Sequence, residues 1–387
     1  MKNILCLNKI ASVGTDKLDK NEYNVGTEMS APVGIMVRSA SMHDMELGEE
    51  LLAISRAGAG VNNIPIDRCS SSGIVVFNTP GANANGVKEL AICALLLASR
   101  DISGGISWAS SLAGTDDVAK AVEAGKSKFA GVEIKGKTLG VIGLGAIGGL
   151  IANAAIELGM DVVGYDPFLS VEAAWNMDRR VKKVSSFEQV FSDADYITLH
   201  VPSTPDTKGM INKNSMENMK NGVRIINLAR ADLVNASDIK EALSSGKVSK
   251  YVTDFPTEET VGVPGIITIP HLGASTEESE DNCAVMAACQ LDEYLRWGNI
   301  KNSVNFPTAS MPFTAHSRIC VLHANKPAMI SRITSAVSHS GANIENMINA
   351  SKGDNAYTMI DVTGDICAEL VHTLAEHGDI YRVRIID

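Results

Sequence analysis

At 387 residues the chain exceeds what one hydrophobic core usually serves, so two or three domains are expected. Its 45% hydrophobic content, 33 glycines and 5% aromatics describe an α/β enzyme and exclude a fibrous or disordered chain. A formal net charge of -11 repels polyanions, which argues against nucleic acid or an anionic membrane as partner and leaves an anionic small molecule dependent on locally placed arginine.

In chain order, residues 1–88 carry short apolar runs, Val33 to Val37 and Ile74 to Phe77, between helix-like stretches and Gly/Pro/Asn turns. This predicts a small α/β unit. Glu89 to Arg100 is apolar nearly all round, as a helix buried between domains or subunits would be, and it predicts a homodimer or homotetramer. From Lys137 onward the strand-like runs Leu139–Ile142, Val162–Tyr165, Tyr196–His200, Arg224–Asn227 and Ile266–Ile269 alternate with helix-length segments. That pattern predicts a Rossmann-like, doubly wound parallel sheet over 89–276, with the first domain, flavodoxin-like, completed by about 277–309. Breaker residues from Asn305-Phe306-Pro307 to Met311-Pro312 precede a strand, helix, hairpin, helix, strand pattern. Residues 315–387 are therefore expected to form a separate βαββαβ, ferredoxin-like module, with Gly353-Asp354-Asn355 turning the hairpin.

The seven cysteines (Cys6, Cys69, Cys93, Cys283, Cys289, Cys320, Cys367) are scattered and lack C-x-x-C spacing, so they read as reduced core thiols rather than a disulfide framework or a metal site. The N-terminus has no signal-peptide core, and the most apolar run, Leu90 to Ser99, is too short to span a bilayer. A cytoplasmic protein is expected.

The predicted strand from Thr138 enters Gly143-Leu144-Gly145-Ala146-Ile147-Gly148 and continues as a helix ended by Gly159. The first glycine permits a tight turn and the second lets backbone approach a pyrophosphate. The third allows close helix-to-strand packing, with the phosphate at the helix N-terminus. Asp166 ends the next strand, where a carboxylate accepts bonds from ribose hydroxyls and repels a 2′-phosphate, so NAD rather than NADP is the expected cofactor.

Three later segments end strands in functional residues: Ile226-Asn227-Leu228-Ala229-Arg230, Asp254-Phe255-Pro256-Thr257-Glu258-Glu259 and Ile269-Pro270-His271. Hydride transfer from a hydroxyl-bearing carbon needs a base for the hydroxyl proton and a cation for the carboxylate and the forming carbonyl, which histidine and arginine supply. An acid beside the histidine would orient it and stabilise its protonated form.

With these motifs, and with His200-Val-Pro202-Ser-Thr-Pro-Asp-Thr207 and Pro270-His-Leu-Gly-Ala-Ser-Thr276, residues 30–305 resemble the D-isomer-specific 2-hydroxyacid dehydrogenase family. The resemblance implies Arg230 as substrate anchor and His271 as general acid/base, with Glu258 or Glu259 as its acidic partner. The family sets an aspartate five residues before that glutamate and opens the motif Asp-Val-Phe. Aligning on Phe255 selects Glu258, the residue taken here, whereas counting from Asp254 selects Glu259. The resemblance also implies cofactor contacts from His200, Pro202, Thr207, Leu228, Ala229 and Asp254.

Val37-Arg38-Ser39, Ser55-Arg56-Ala-Gly-Ala59-Gly60 and Asn78-Thr-Pro-Gly-Ala-Asn83 resemble substrate-domain motifs of the family's phosphoglycerate-oxidising branch. They imply Arg38, Ser39, Ala59, Gly60 and Asn83 as substrate contacts beside Arg230 and His271. The implied reaction is NAD-dependent oxidation of D-3-phosphoglycerate to 3-phosphohydroxypyruvate, the entry to serine synthesis. A glyoxylate, hydroxypyruvate or other 2-oxo acid reductase is the alternative within enzymes, and an NAD-sensing corepressor-type scaffold the alternative outside them. The C-terminal module resembles an ACT regulatory domain, with His323, Asn325 and Asn343 as candidate contacts for an L-serine effector; Ala328 stands where a glycine is expected.

Overall fold

The computed structural model describes residues 1–313, 316–364 and 368–387. The chain divides into two compact units, Met1–Ala82 with Glu280–Asp387, and Asn83–Ser279.

The first unit opens with β1 (Lys2–Leu7), β2 (Tyr23–Gly26), β3 (Gly34–Val37), β4 (Ala53–Arg56) and β5 (Val75–Phe77), all parallel in the order β2-β1-β3-β4-β5. This is the flavodoxin-like order. Every residue of β3 and β5 is buried, because a parallel sheet covered on both faces needs continuous apolar strands. Leu5, Ile35, Val37, Ile54 and Val76 face one layer with Ile64 and Cys69. Ile4, Cys6, Met36, Ala53, Val75 and Phe77 face the other, against Ala287, Ala288, Leu291 and Tyr294 of the long helix Glu277–Trp297.

The second unit holds β6 (Thr138–Ile142), β7 (Asp161–Tyr165), β8 (Lys182–Lys183), β9 (Tyr196–Leu199), β10 (Val223–Asn227), β11 (Val248–Thr253) and β12 (Ile266–Thr268) in one parallel sheet, ordered β12-β11-β10-β9-β6-β7-β8. The order reverses between β6 and β9, the switch point at which α/β sheets bind dinucleotides. The apolar helix starts at Ala84 rather than Glu89 and runs to Ser99. It buries Val87, Ala91, Leu95 and Ala98 against Leu139, Val141, Ile151 and Ala155. The division falls at Ala82/Asn83 instead of 88/89 because this first turn is already packed: a Cβ on Gly86 would lie 2.8 Å from the Gly273 carbonyl oxygen.

The C-terminal strands β13 (Ser317–Ala324), β14 (Asn343–Lys352), β15 (Asn355–Thr363) and β16 (Ile380–Ile386) form an antiparallel sheet ordered β14-β15-β13-β16, with Gly353 at φ 58° in the hairpin turn. Helices Met329–His339 and Ala368–Ala375 cover one face through Ile333, Val337, Leu370 and Leu374. Residues 315–387 were expected to stand apart, and here the structure differs. The uncovered face of the sheet is apolar and needs a partner, so Cys320, Leu322, Tyr357, Met359 and Ile386 join the core of the first unit beside Leu291, Tyr294 and Leu295. Ala315, the expected first residue, and Cys367 lie outside the described residues. The other six cysteines are free, but Cys93 and Cys289 are exposed rather than in the core. No single described helix is long and apolar enough to cross a membrane.

Polar contacts lock this junction. Arg318, 0% exposed, grips the carboxylate of Asp361 at 2.6 and 2.9 Å and donates to the carbonyls of Trp297 (2.8 Å), Met311 (3.0 Å) and Pro312 (2.8 Å). Arg384 donates to the Tyr294 carbonyl at 2.9 Å and to that of Leu295, and the Tyr357 hydroxyl to Gly298 at 2.7 Å. The Leu295, Trp297 and Gly298 carbonyls lie in or just after the last turn of Glu277–Trp297, where a helix leaves its carbonyls without intrahelical donors, and these side chains supply them. Removing one member of a buried ion pair strands the other, so Arg318→Ala is expected to lose about 3–5 kcal/mol of stability by denaturant titration. The double variant Arg318→Met/Asp361→Leu is expected to lose less than the single one.

Candidate functional site

The turn after β6 shows why glycine stands at two of its positions. Gly143 sits at φ 89°, and a Cβ there would come 2.5 Å from the His200 carbonyl oxygen. A Cβ on Gly148 would meet the Gly143 carbonyl oxygen at 1.9 Å, so only glycine lets this helix approach its strand. A Cβ on Gly145 would meet nothing within 4 Å, which leaves room on that side of the backbone. Helix Ala146–Glu157 follows without a side-chain cap, so the first amides, those of Ala146, Ile147 and Gly148, remain free for an anion.

Asp166 accepts the amides of Leu144 (2.9 Å) and Phe168 (2.8 Å), one on each oxygen, which fixes a half-buried carboxylate beside the glycine turn. His200 bonds the Thr198 hydroxyl at 2.8 Å, and burial pushes its pKa down to about 3, so the ring is neutral. Thr207 ties its own loop through the Pro202 carbonyl (2.6 Å) and the Thr204 amide (2.9 Å), so its hydroxyl shapes the turn. Leu228 packs into the core under the sheet and Ala229 is half-buried.

Fully buried Asn227 organises the end of β10. Its side chain accepts from the amides of Ala229 and Arg230 and donates to the Arg230 carbonyl (2.8 Å) and the Tyr251 hydroxyl (3.2 Å). Arg230 stands exposed at the carboxyl end of the sheet, its Nη1 donating to the Ala229 carbonyl at 2.6 Å. At the end of β11, Asp254 is 2% exposed, and its Oδ1 is buried without a hydrogen-bond partner. Burial pushes its pKa up; the charge of His271, amides of its own backbone and of Gly273, and Arg230 pull against that rise. Phe255 lies beside both catalytic candidates, its ring 4.6 Å from that of His271 and 5.9 Å from the Arg230 guanidinium carbon.

The expected pairing of His271 with Glu258 is not made. Glu258 and Glu259 are both exposed, and His271 has no ion pair within 4 Å among the described residues. The two glutamates lie on different sides of their loop, Glu258 with Pro256 and Val261 and Glu259 with Phe255 and Tyr251. Buried Asp254 is the carboxylate on which the charge of His271 acts.

In the first unit Arg38 pairs with Glu280 at 2.5 Å. The amides of Ser39 and Ala40 are held by Asn8, and the Ala59 carbonyl by Asn78 at 2.6 Å. Arg56 lies under the Gly58–Gly60 turn, where a Cβ on Gly58 would strike its Nη1 at 2.3 Å, and the charge of Arg38 acts on it. The sequence motif carries Arg56 without marking it, and the glycines at 58 and 60 are the signal for it. Asn83 falls in the second unit, just before helix Ala84–Ser99.

The proposed effector residues do not converge within one chain. His323 is 2% exposed and committed to the Ala324 carbonyl (2.8 Å) and the Thr358 hydroxyl (2.9 Å). Asn325 braces the hairpin through the Gly353 carbonyl at 3.0 Å. Asn343 pairs in register with Thr363, whereas the Asn325 end of β13 pairs with Asn355; eight strand residues, about 27 Å, separate them. Ala328 takes φ 66°, the conformation the expected glycine would adopt without strain.

Residues 106–273 match the family described as D-isomer specific 2-hydroxyacid dehydrogenase, NAD binding domain. D-3-phosphoglycerate dehydrogenase of Archaeoglobus fulgidus is 34% identical over 329 residues, covering 79% of this chain and 59% of that protein. The Methanocaldococcus jannaschii protein of the same name is 37% identical over 269 residues, covering 68% and 49%. The chain thus spans between 49% and 59% of these two relatives. A crystal structure of NAD+-bound 3-phosphoglycerate dehydrogenase in Entamoeba histolytica matches with a TM-score of 0.59 and 26% identity, over 79% of this chain and 98% of that one. A glyoxylate reductase from Paecilomyes thermophila shares the fold, with a TM-score of 0.63 and 23% identity over 78% and 98%.

A buried carboxyl whose folded pKa is raised favours the protonated state, so its contribution to stability is present at acid pH and lost as pH rises through that value. Asp254→Asn is therefore expected to unfold at a higher temperature than the parent at pH 7, by about 2–4 °C per kcal/mol recovered, and to converge with it at acid pH. Thermal scans across pH measure this directly.

Proposed function

The chain belongs to the D-isomer-specific 2-hydroxyacid dehydrogenase family, and on that premise we propose that it oxidises D-3-phosphoglycerate to 3-phosphohydroxypyruvate with NAD. The observation that supports this best is the convergence of Arg230, Asp254 and His271 around the Phe255 ring, at the strand ends of a unit that also carries the glycine turn.

The residues present fit the cofactor. Free amides from Ala146 to Gly148 suit its pyrophosphate, and Asp166 keeps lone pairs for the ribose hydroxyls. The unpartnered Oδ1 of Asp254 suits a carboxamide N–H. NAD, when bound, supplies the acceptor for the hydride that leaves C2 of the hydroxy acid. Arg230 holds the substrate carboxylate and draws electron density toward the C2 oxygen. His271 takes the hydroxyl proton, and Asp254 supplies the negative charge that favours the resulting imidazolium.

Arg38 and Arg56 give the first unit a pair of guanidiniums suited to a phosphate, which supports the phosphorylated substrate. The Glu280 tether on Arg38 favours the second reading, a reductase of unphosphorylated 2-oxo acids, since a phosphate would have to displace that carboxylate. A cytoplasmic location accords with the free cysteines. A homo-oligomer accords with the exposed apolar side chains of Leu96, Ile102, Ile106 and Val118 on neighbouring helices.

Steady-state NADH formation across phosphorylated and unphosphorylated hydroxy acids tests the reading. D-3-phosphoglycerate is expected to give the highest kcat/KM; preference for glycolate or glycerate would select the reductase, and no turnover with any of them would reject both. His271→Asn is expected to lose about 10²–10⁴-fold in kcat with NAD binding intact. Asp166→Ala is expected to weaken NAD by about tenfold while narrowing its advantage over NADP, measured by cofactor titration.

A further inference from the structure

The loop after β11 reads Asp254-Phe255-Pro256, so the aromatic ring directly follows the buried carboxyl. Here the ring falls among the reacting groups. The Phe255 amide donates to the Thr253 hydroxyl at 3.1 Å, which pins the backbone. One side of the ring meets the His271 imidazole at 4.6 Å and a 47° tilt, and the Arg230 guanidinium stands 5.9 Å from its centre.

The same residue lines a cavity of about 210 Å³ with Ala231, Val234, Ile239, Tyr251 and Glu259. Neither Arg230 nor His271 lines it. Phe255 thus touches both the catalytic pair and a half-open cavity whose rim also carries the polar Asp232, Thr257 and Thr260.

We propose that Phe255 is a positioning and specificity-determining residue: its ring sets the separation of Arg230 from His271 and forms the wall between them and the neighbouring cavity, so that its bulk favours 2-hydroxy and 2-oxo acids with a short chain at C3. This rests on the dehydrogenase reading above. The cation–π contact holds a long arginine side chain in one place, and a wall of fixed thickness rejects substrates by volume.

The test compares full-length wild type with Phe255→Tyr, Phe255→Leu and Phe255→Ala. Each is assayed for NADH-dependent reduction of hydroxypyruvate, 3-phosphohydroxypyruvate and 2-oxo-4-methylpentanoate, alongside NADH affinity by fluorescence and thermal unfolding. Phe255→Tyr is expected to retain wild-type constants. In Phe255→Leu, kcat on the preferred short substrate is expected to fall about tenfold or more, while KM rises only about two- to fivefold. In Phe255→Ala, the ratio of kcat/KM for 2-oxo-4-methylpentanoate to that for hydroxypyruvate is expected to rise by about tenfold or more. NADH affinity is expected to stay within about twofold throughout, because the ring lies outside the glycine turn.

Wild-type constants in Phe255→Leu, or an unchanged substrate ratio in a folded Phe255→Ala, would overturn the inference while leaving the dehydrogenase reading in place. A wild type inactive on every substrate would overturn that reading and this inference with it. Should Phe255→Ala fail to fold, the kcat-against-KM split in Phe255→Leu and its rescue in Phe255→Tyr decide the matter.

Discussion

The second unit depends on the absence of one carbon atom. With no Cβ on Gly148, helix Ala146–Glu157 comes close enough to β6 for the Gly143 carbonyl to occupy the space that Cβ would take, and the helix N-terminus is brought to the carboxyl end of the sheet. The free amides, the carboxylate of Asp166 beside them and the switch point between β6 and β9 all follow from that approach. An anion placed there meets aligned dipoles already fixed by packing, so binding requires little reorganisation.

The strand ends carry the chemistry because their backbone is rigid and their side chains are not all satisfied. Asn227 uses its whole amide to shape the turn that presents Arg230, a division of labour between a buried organiser and an exposed cation. Asp254 is the opposite case, a buried carboxyl with an unpartnered oxygen and a raised pKa. Such a group is costly in an empty site and useful in a filled one.

Much of the architecture was legible from residue order. Parallel strands buried on both faces read as continuous apolar runs, and the glycine spacing located the tight turn into helix Ala146–Glu157. Two kinds of information were not local. The choice between Glu258 and Glu259 turned on whether the motif is aligned on Phe255 or counted from Asp254, and sequence alone does not say which. In the structure Phe255 packs against His271 and both glutamates are exposed. The C-terminal sheet was correctly read in topology and wrongly as free-standing, because the pattern of a strand says that a face is apolar but not what covers it. Likewise the resemblance that grouped His323, Asn325 and Asn343 carries no distances, and within one chain Asn343 lies at the opposite end of the strands from the other two.

The docking of β13 and β16 onto helix Glu277–Trp297 also bears on how the chain is born. The second unit is one continuous stretch and has all its strands in hand once residue 279 has left the ribosome. The first unit begins at residue 2 and receives the arginines that close its long helix only at 318 and 384. Its N-terminal strands keep an apolar face uncovered until Ala287 to Tyr294 have been made, and the helix that covers them is itself closed last. Nascent-chain chaperones would therefore meet this protein chiefly through its amino-terminal eighty residues, held open around a middle that has already folded.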